Sequence, residues 1–180
     1  LTAFTAITYI NHVISDTPKV TARSLSSTSV SNIYDKNGSI IATSSSTNLD
    51  YVKIKDVPKT YIDLLLSTED REFYETKGYS VKGIANAGKS IVLNKVLKKG
   101  DVRGGSTIDQ QLLKNTVFSS SEADRTIDRK IKEIWISTQM NKNFTKDQIL
   151  EWYVNKINLG EHSYGADTIS MTYFGKHLIE

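Results

Sequence analysis

The sequence predicts a mainly α-helical fold with a small β-hairpin near its N-terminus. Three observations carry that expectation. Only two prolines stand against a rich supply of Leu, Ile, Lys and Glu, residues that helices accept at little cost. Apolar residues recur at helical spacing in several stretches after Pro58. Two short β-prone runs flank Asp35-Lys36-Asn37-Gly38, where Asn-Gly supplies the positive φ of a tight turn. The 180 residues suit one domain with a substantial core, and 38% hydrophobic with 24% charged content is ordinary globular composition. A net charge of +3 is too mild to imply a nucleic-acid partner. The absence of cysteine excludes disulfides and thiolate metal sites, and His12, His162 and His177 lack zinc-type spacing.

Residues 1–15 are apolar, with His12 as the one basic group before Ser15. The run is shorter than the roughly 20 residues a spanning helix needs. It reads either as the end of a truncated transmembrane anchor or as an ordinary buried helix. The anchor is the expectation, because the polar, serine-rich residues 16–32 follow as a linker. Residues 32–43 are the expected hairpin, residues 50–57 alternate as one more strand would, and Pro58 opens a helix.

On that helix, expected over residues 59–74, Ile62, Leu65, Leu66 and Phe73 share a face at about 100° per residue. Glu69 falls in the middle of the same stripe. A carboxylate among apolar side chains is partnered, or has a raised pKa, or both. Asp70 at the stripe's edge is placed to cap, orient or pair nearby.

Residues 80–103 carry Lys82, Lys89, Lys95, Lys98, Lys99 and Arg103 against one acid, Asp101, around the apolar run Ile91 to Leu97. The pattern suits a helix on an anionic membrane surface, and equally a solvated amphipathic helix. Gly104-Gly105-Ser106-Thr107 then leads into Ile108 to Asn115. Two glycines before a helix N-terminus make a place for an anion, or simply a well-capped surface helix. Ser106 is the expected N-cap, with Asp109 three residues on in an acidic variant of a capping box. Gln111 and Asn115 join the apolar face of Ile108 and Leu112, whereas Lys114 points elsewhere, toward a ligand.

Residues 124–141 form the next expected helix, with Ile127, Ile131, Ile134 and Trp135 as core face. Arg125, Arg129 and Glu133 follow at i, i+4 and i+8 as one charged stripe opposite. That stripe is a salt-bridged solvent face, or, if it lines a cleft, a clamp for diphosphate. Thr145 and Gln148 form a capping box for a further helix, and a last helix over residues 166–174 stops at Gly175.

In order along the chain, these segments resemble the peptidoglycan glycosyltransferase domain of family 51, found in class A penicillin-binding proteins and monofunctional glycosyltransferases. Glu69-Asp70-Arg71-Glu72-Phe73-Tyr74 with Gly78 resembles its first motif, and Gly104 to Asn115 (GGSTIDQQLLKN) its second. Arg125 to Lys130 with Glu133 resembles the third. Ile149 to Asn155 (ILEWYVN), then Gly160, Tyr164-Gly165 and Tyr173 to Lys176, resembles the fourth. The chain departs from the pattern at Thr76, where the family usually has histidine, and at Ile169 and Ser170, where it has small residues.

The resemblance implies a lysozyme-like, two-lobed helical fold over residues 33–180, C-terminally incomplete, with residues 80–103 as a membrane-facing jaw. It implies polymerisation of lipid II into β-1,4-linked glycan with inversion and release of polyprenyl diphosphate, at the extracytoplasmic face of the cell membrane. Glu69 would be the general base. Glu133 would be the second carboxylate, orienting arginines or holding a divalent cation (Mg or Mn). Lys114, Arg125 and Arg129 would meet the diphosphate, and Asp70, Ser106, Thr107, Gln111 and Asn115 would line or brace the substrate site. Partners would be lipid II, the growing glycan chain, the membrane surface and cell-wall synthesis or division proteins; no nucleotide is required. A lytic muramidase, also built on a catalytic glutamate, is the alternative, and a non-catalytic precursor-binding scaffold a third.

Overall fold

The computed structural model describes residues 2–26, 30–45, 51–85, 105–118, 126–158 and 164–180. They form, in order, α1 (Thr2–Ser15), α2 (Ala22–Ser26), β1 (Val30–Tyr34), β2 (Ile40–Ser45), a 3-10 turn (Ile54–Asp56), α3 (Lys59–Glu69), α4 (Ile108–Thr116), α5 (Ile127–Asn143), α6 (Lys146–Lys156) and α7 (Ala166–Phe174). The fold is mainly helical. Residues 81–85 are also helical. Most of the basic segment expected to face a membrane, residues 86–103, lies outside the described residues, as do Gly104 and Arg125.

α6 is the central element. Its run Ile149-Leu150-Glu151-Trp152-Tyr153-Val154-Asn155 leaves only Glu151 partly exposed, because a helix apolar on nearly every side must be covered on every side. Ile108, Leu112 and Leu113 of α4 pack on it, with Ile136 and Met140 of α5, Leu65 of α3, and Phe73. Each such side chain contributes about 1.5–3 kcal/mol when fully buried. The capping box that starts α6 is complete: Gln148 N–H donates to Thr145 Oγ1 (3.2 Å) and Thr145 N–H donates to Gln148 Oε1 (2.9 Å).

β1 and β2 pair antiparallel, with a shift in register between Ile33 and Tyr34. Asp35 Oδ1 accepts from Asn37 and Ser39 N–H at 2.8 Å each, and Gly38 has φ +85°. The residues expected as a further strand, 50–57, form none. Val52 N–H donates to Asn155 Oδ1 (2.9 Å), Asn155 Nδ2 returns a bond to Val52 O (2.8 Å), and Ile54 N–H donates to Glu151 Oε2 (3.0 Å). Side chains of α6 thus satisfy the backbone that a neighbouring strand would have served.

Three other expectations change. The linker over residues 16–32 contains α2, whose Leu25 is fully buried in the core. α3 stops at Glu69, so Phe73 reaches the core from the following turn, and Ser67, Thr68 and Glu69 are all exposed. The apolar setting expected for Glu69 is therefore not present: the helix end projects beyond the core.

α5 is rotated from its expected orientation. Ile127 and Trp135 are 58% and 40% exposed, whereas Glu133, Ile136, Ser137 and Met140 are buried. The charged stripe faces inward because its members neutralise one another. α1 lies along α5, with Tyr9 Oη hydrogen-bonded to Asp128 and Lys132 paired with Asp16 at 3.5 Å. No helix among the described residues is long and apolar enough to cross a membrane.

Candidate active site

The site begins at the N-terminus of α4, and the first finding corrects its cap. Thr107, not Ser106, holds the N-cap position: its Oγ1 accepts from Gln110 N–H at 3.3 Å and donates to Gly78 O at 3.0 Å. Asp109 therefore does not occupy the capping-box position. A carboxylate of the protein itself meets this helix end. Asp70 Oδ2 accepts from Ile108 N–H at 3.1 Å, and Thr107, Ile108, Asp109 and Gln110 are all buried. Asp70 and Thr107 thus fix this helix end and at the same time line the cleft in front of it. Burial pushes the Asp70 carboxyl above its ordinary range; the bond from Ile108 opposes that shift and the Asp109 charge adds to it.

Beneath the cap lies a buried ionic cluster. Asp109 is fully buried, paired with Lys146 at 3.2 Å and accepting from Asn141 Nδ2 at 2.6 Å. Its carboxyl too is raised by burial, against the attraction of Lys146. Lys146 Nζ also sits 4.2 Å from the centre of the Phe73 ring. The cluster fixes α4 to α5, α6 and the turn after α3.

Gly78 completes the backing. Its φ is +91°, and a Cβ there would stand 2.7 Å from both Ser137 O and Asn141 Nδ2. Gly78→Ala should therefore lower the melting temperature by roughly 4 °C or more, since overpacking alone costs about 1–3 kcal/mol and the left-handed backbone adds to it. An unchanged thermal transition would show that this turn yields without cost.

In front of the cap opens a cleft of about 250 Å³ whose walls include Glu69, Glu72, Lys82, Gly83, Gly105 and Ser106. Gly83 and Gly105 approach so closely that a Cβ on Gly83 would collide with the Gly105 carbonyl. Lys82 pairs with Glu72 at 2.9 Å on the rim. Glu69 stands at the cleft with one oxygen held: Gln111 Nε2 donates to Glu69 Oε2 at 3.0 Å. Gln111 Oε1 in turn accepts from Tyr153 Oη at 3.0 Å.

α5 supplies the positive charge. Lys130 Nζ donates to Ser106 Oγ (3.2 Å), Gln110 Oε1 (2.6 Å) and Glu133 Oε2 (3.3 Å). Arg129 Nε donates to Glu133 Oε1 at 3.2 Å, and its guanidinium lies 5.4 Å from the Phe118 ring centre. A continuous set of contacts thus runs from Ser106 in the cleft through Lys130 and Glu133 to Arg129. Of the residues expected at the site, the structure brings Glu69 and Gln111 into one cluster and Ser106, Arg129 and Glu133 into another, with Ser106 and Glu69 lining the same cleft. Lys114 and Asn115 are exposed on α4, outside both clusters among the described residues.

The sequence reading left out Lys130 and Tyr153. Lys130 had a signal, standing three residues before Glu133 and beside Arg129. Tyr153 lies within the fourth motif, in an otherwise apolar run that gives no hint of a polar task for its hydroxyl. Thr76, where the chain departs from the family pattern, has a buried Oγ1 with no hydrogen-bond partner among the described residues.

The residues around Glu133 do not fit the divalent cation expected there. Both carboxylate oxygens accept from cations, and among the described residues no three acidic or histidine side chains converge as metal ligands. Glu133 is paired with Arg129 at 3.2 Å and Lys130 at 3.3 Å.

A helical domain with a carboxylate held at an open cleft, and a lysine–arginine set bonded to the cleft's Ser106 from a neighbouring helix, is the class this fold and site define. The chain belongs to the transglycosylase family, whose model, described as "Transglycosylase", matches residues 37–180. It is 37% identical over 164 residues to penicillin-binding protein 1A/1B of Bacillus subtilis, covering 91% of this chain and 17% of that protein. It is 35% identical over 178 residues to penicillin-binding protein 1F of the same organism (99% of the chain, 23% of that protein). To penicillin-binding protein 1A of Streptococcus oralis it is 32% identical over 167 residues (93% and 26%). The chain thus spans about a quarter or less of the length of these relatives.

Proposed function

We propose that this domain is a peptidoglycan glycosyltransferase that polymerises lipid II into β-1,4-linked glycan strands. The observation that carries the reading is Glu69, held by Gln111 at an open cleft whose wall includes Ser106, itself hydrogen-bonded to Lys130. Glu69 accepts the proton of the acceptor sugar's 4-hydroxyl as that oxygen attacks C1 of the growing chain. The C1–O bond to diphosphate breaks with inversion, and polyprenyl diphosphate leaves. A positioned base of this kind contributes about 10²–10⁴-fold.

Negative charge grows on the departing diphosphate. Lys130 and Arg129, aligned by Glu133, supply preorganised positive charge for it, with Arg125 and Lys114 as further cations. Gln111 holds the base, Ser106 meets the donor, and Asn115 lines its approach. Asp70 and Thr107 fix the helix end and line the cleft beside them. No nucleotide enters, because the activated leaving group arrives on the lipid. In this reading the domain has a lysozyme-like head and a jaw, residues 80–103, that rests on the membrane. Residues 1–15 help hold the domain at the extracytoplasmic face, where partner proteins of cell-wall synthesis or division would meet it.

Incubation of the protein with lipid II and, separately, with finished peptidoglycan tests the reading. Longer glycan chains and free polyprenyl diphosphate are expected from the first and no soluble fragments from the second. Cleavage of finished peptidoglycan would make the domain a muramidase. Binding of lipid II without turnover would make it a scaffold.

A further inference from the structure

Tyr153 is buried in the core, and its hydroxyl donates to the amide that holds Glu69. The two bonds, Tyr153 Oη to Gln111 Oε1 and Gln111 Nε2 to Glu69 Oε2, are each 3.0 Å long and run in one direction. A side-chain amide has a donor end and an acceptor end, so fixing what it accepts also fixes what it donates to. Burial, and then the nearby charge of Glu69, hold the Tyr153 phenol above its ordinary range, so it remains a protonated donor. Asp70 and Tyr61 are the other titratable groups that act on it, and both push in the same direction.

We propose that Tyr153 is a positioning residue for the reaction: it locks the Gln111 amide so that its N–H faces Glu69 and holds that carboxylate in the orientation of a base. The inference rests on the reading of Glu69 as general base. With the phenol removed, the amide is free to turn its carbonyl toward Glu69. That oxygen repels the ionised carboxylate and accepts a hydrogen bond only from the protonated one. Tyr153 therefore acts on the chemistry from the core side of α4 without touching substrate.

The test is Tyr153→Phe, assayed in the full chain with lipid II. The change removes a single oxygen and keeps the ring's packing. Polymerisation should fall roughly ten-fold or more in kcat, the scale of a lost hydrogen bond to a charged group, with KM for lipid II within about two-fold. The acid limb of the kcat/KM profile should move toward higher pH by about one unit. Gln111→Met should shift the limb in the same way, and adding Tyr153→Phe to it should change nothing further. An unmoved pH profile in Tyr153→Phe, or effects of the two substitutions that simply add, would overturn the inference. If Tyr153→Phe does not fold, an unmoved limb in Gln111→Met overturns the inference, since Tyr153 acts only through that amide. Glu69→Gln, measured alongside, separates the two levels. Retained activity in that variant removes the base reading itself, whereas its loss beside an unaltered Tyr153→Phe removes only the positioning role.

Discussion

Replacing Glu69 with glutamine is expected to lower the rate of glycan polymerisation by about 10²–10⁴-fold while leaving the fold and lipid II binding nearly intact. The substitution is isosteric and falls on an exposed side chain at the end of α3, so no core packing is lost. Its amide oxygen can still accept from Gln111 Nε2, the bond that orients the native carboxylate. What disappears is the capacity to take a proton. Rate should therefore fall in kcat, with KM for lipid II and the melting temperature close to those of the parent. A variant that polymerises at the parental rate would remove Glu69 from the chemistry, and a large fall in thermal stability would make it a structural residue instead.

The sequence singles out Glu69 for a reason the structure replaces. Helical phase put Glu69 among Ile62, Leu65 and Leu66, and burial was the argued source of its function. In the structure α3 ends before the core can cover it, because Asp70 turns away to meet Ile108 N–H. Exposure at a cleft, with one oxygen tethered, makes Glu69 available to substrate. The buried acid is its neighbour. Sequence phase identifies a face of a helix; it does not say how far along its axis the helix stays covered.

The same limit appears on α5. Apolar periodicity assigned Ile127, Ile131, Ile134 and Trp135 to the core, yet Ile127 and Trp135 are exposed and the charged side of the helix is the buried one. Periodicity arguments assume that charge seeks water. Glu133 with Arg129 and Lys130 is a set whose members satisfy one another, so the assumption fails there. By contrast, α6 and its capping box, and the stop of α7 at Gly175, follow from local chemistry and appear where the sequence puts them.

The largest expected loss of stability comes from the cluster under the α4 cap. Lys146→Met keeps an aliphatic stem against Phe73 but leaves Asp109 fully buried with Asn141 as its remaining side-chain partner. Breaking a buried pair in this way costs about 3–5 kcal/mol, which for a chain of this size lowers the melting temperature by roughly 6–20 °C. The loss should depend on pH with a definite sign. Asp109's folded carboxyl already titrates above its unfolded value of 3.8, so the folded state holds the extra proton between the two. The stability that proton contributes is present below the unfolded value and is lost as pH rises through the folded one. Without Lys146 the folded value rises further, so the variant's deficit should be greatest near neutrality and shrink toward acid. Combining Asp109→Asn with Lys146→Met removes both charges and should restore most of the stability, since it is the unpaired charge and not the missing pair that costs. Because Asp70 and Thr107 hold the same helix end, the single Lys146→Met variant should also lose polymerising activity at temperatures where it remains folded, and the double variant should regain it. A single variant within about 1 kcal/mol of the parent at neutral pH, measured by denaturant unfolding, would show that water reaches Asp109 and that the cluster does not anchor α4.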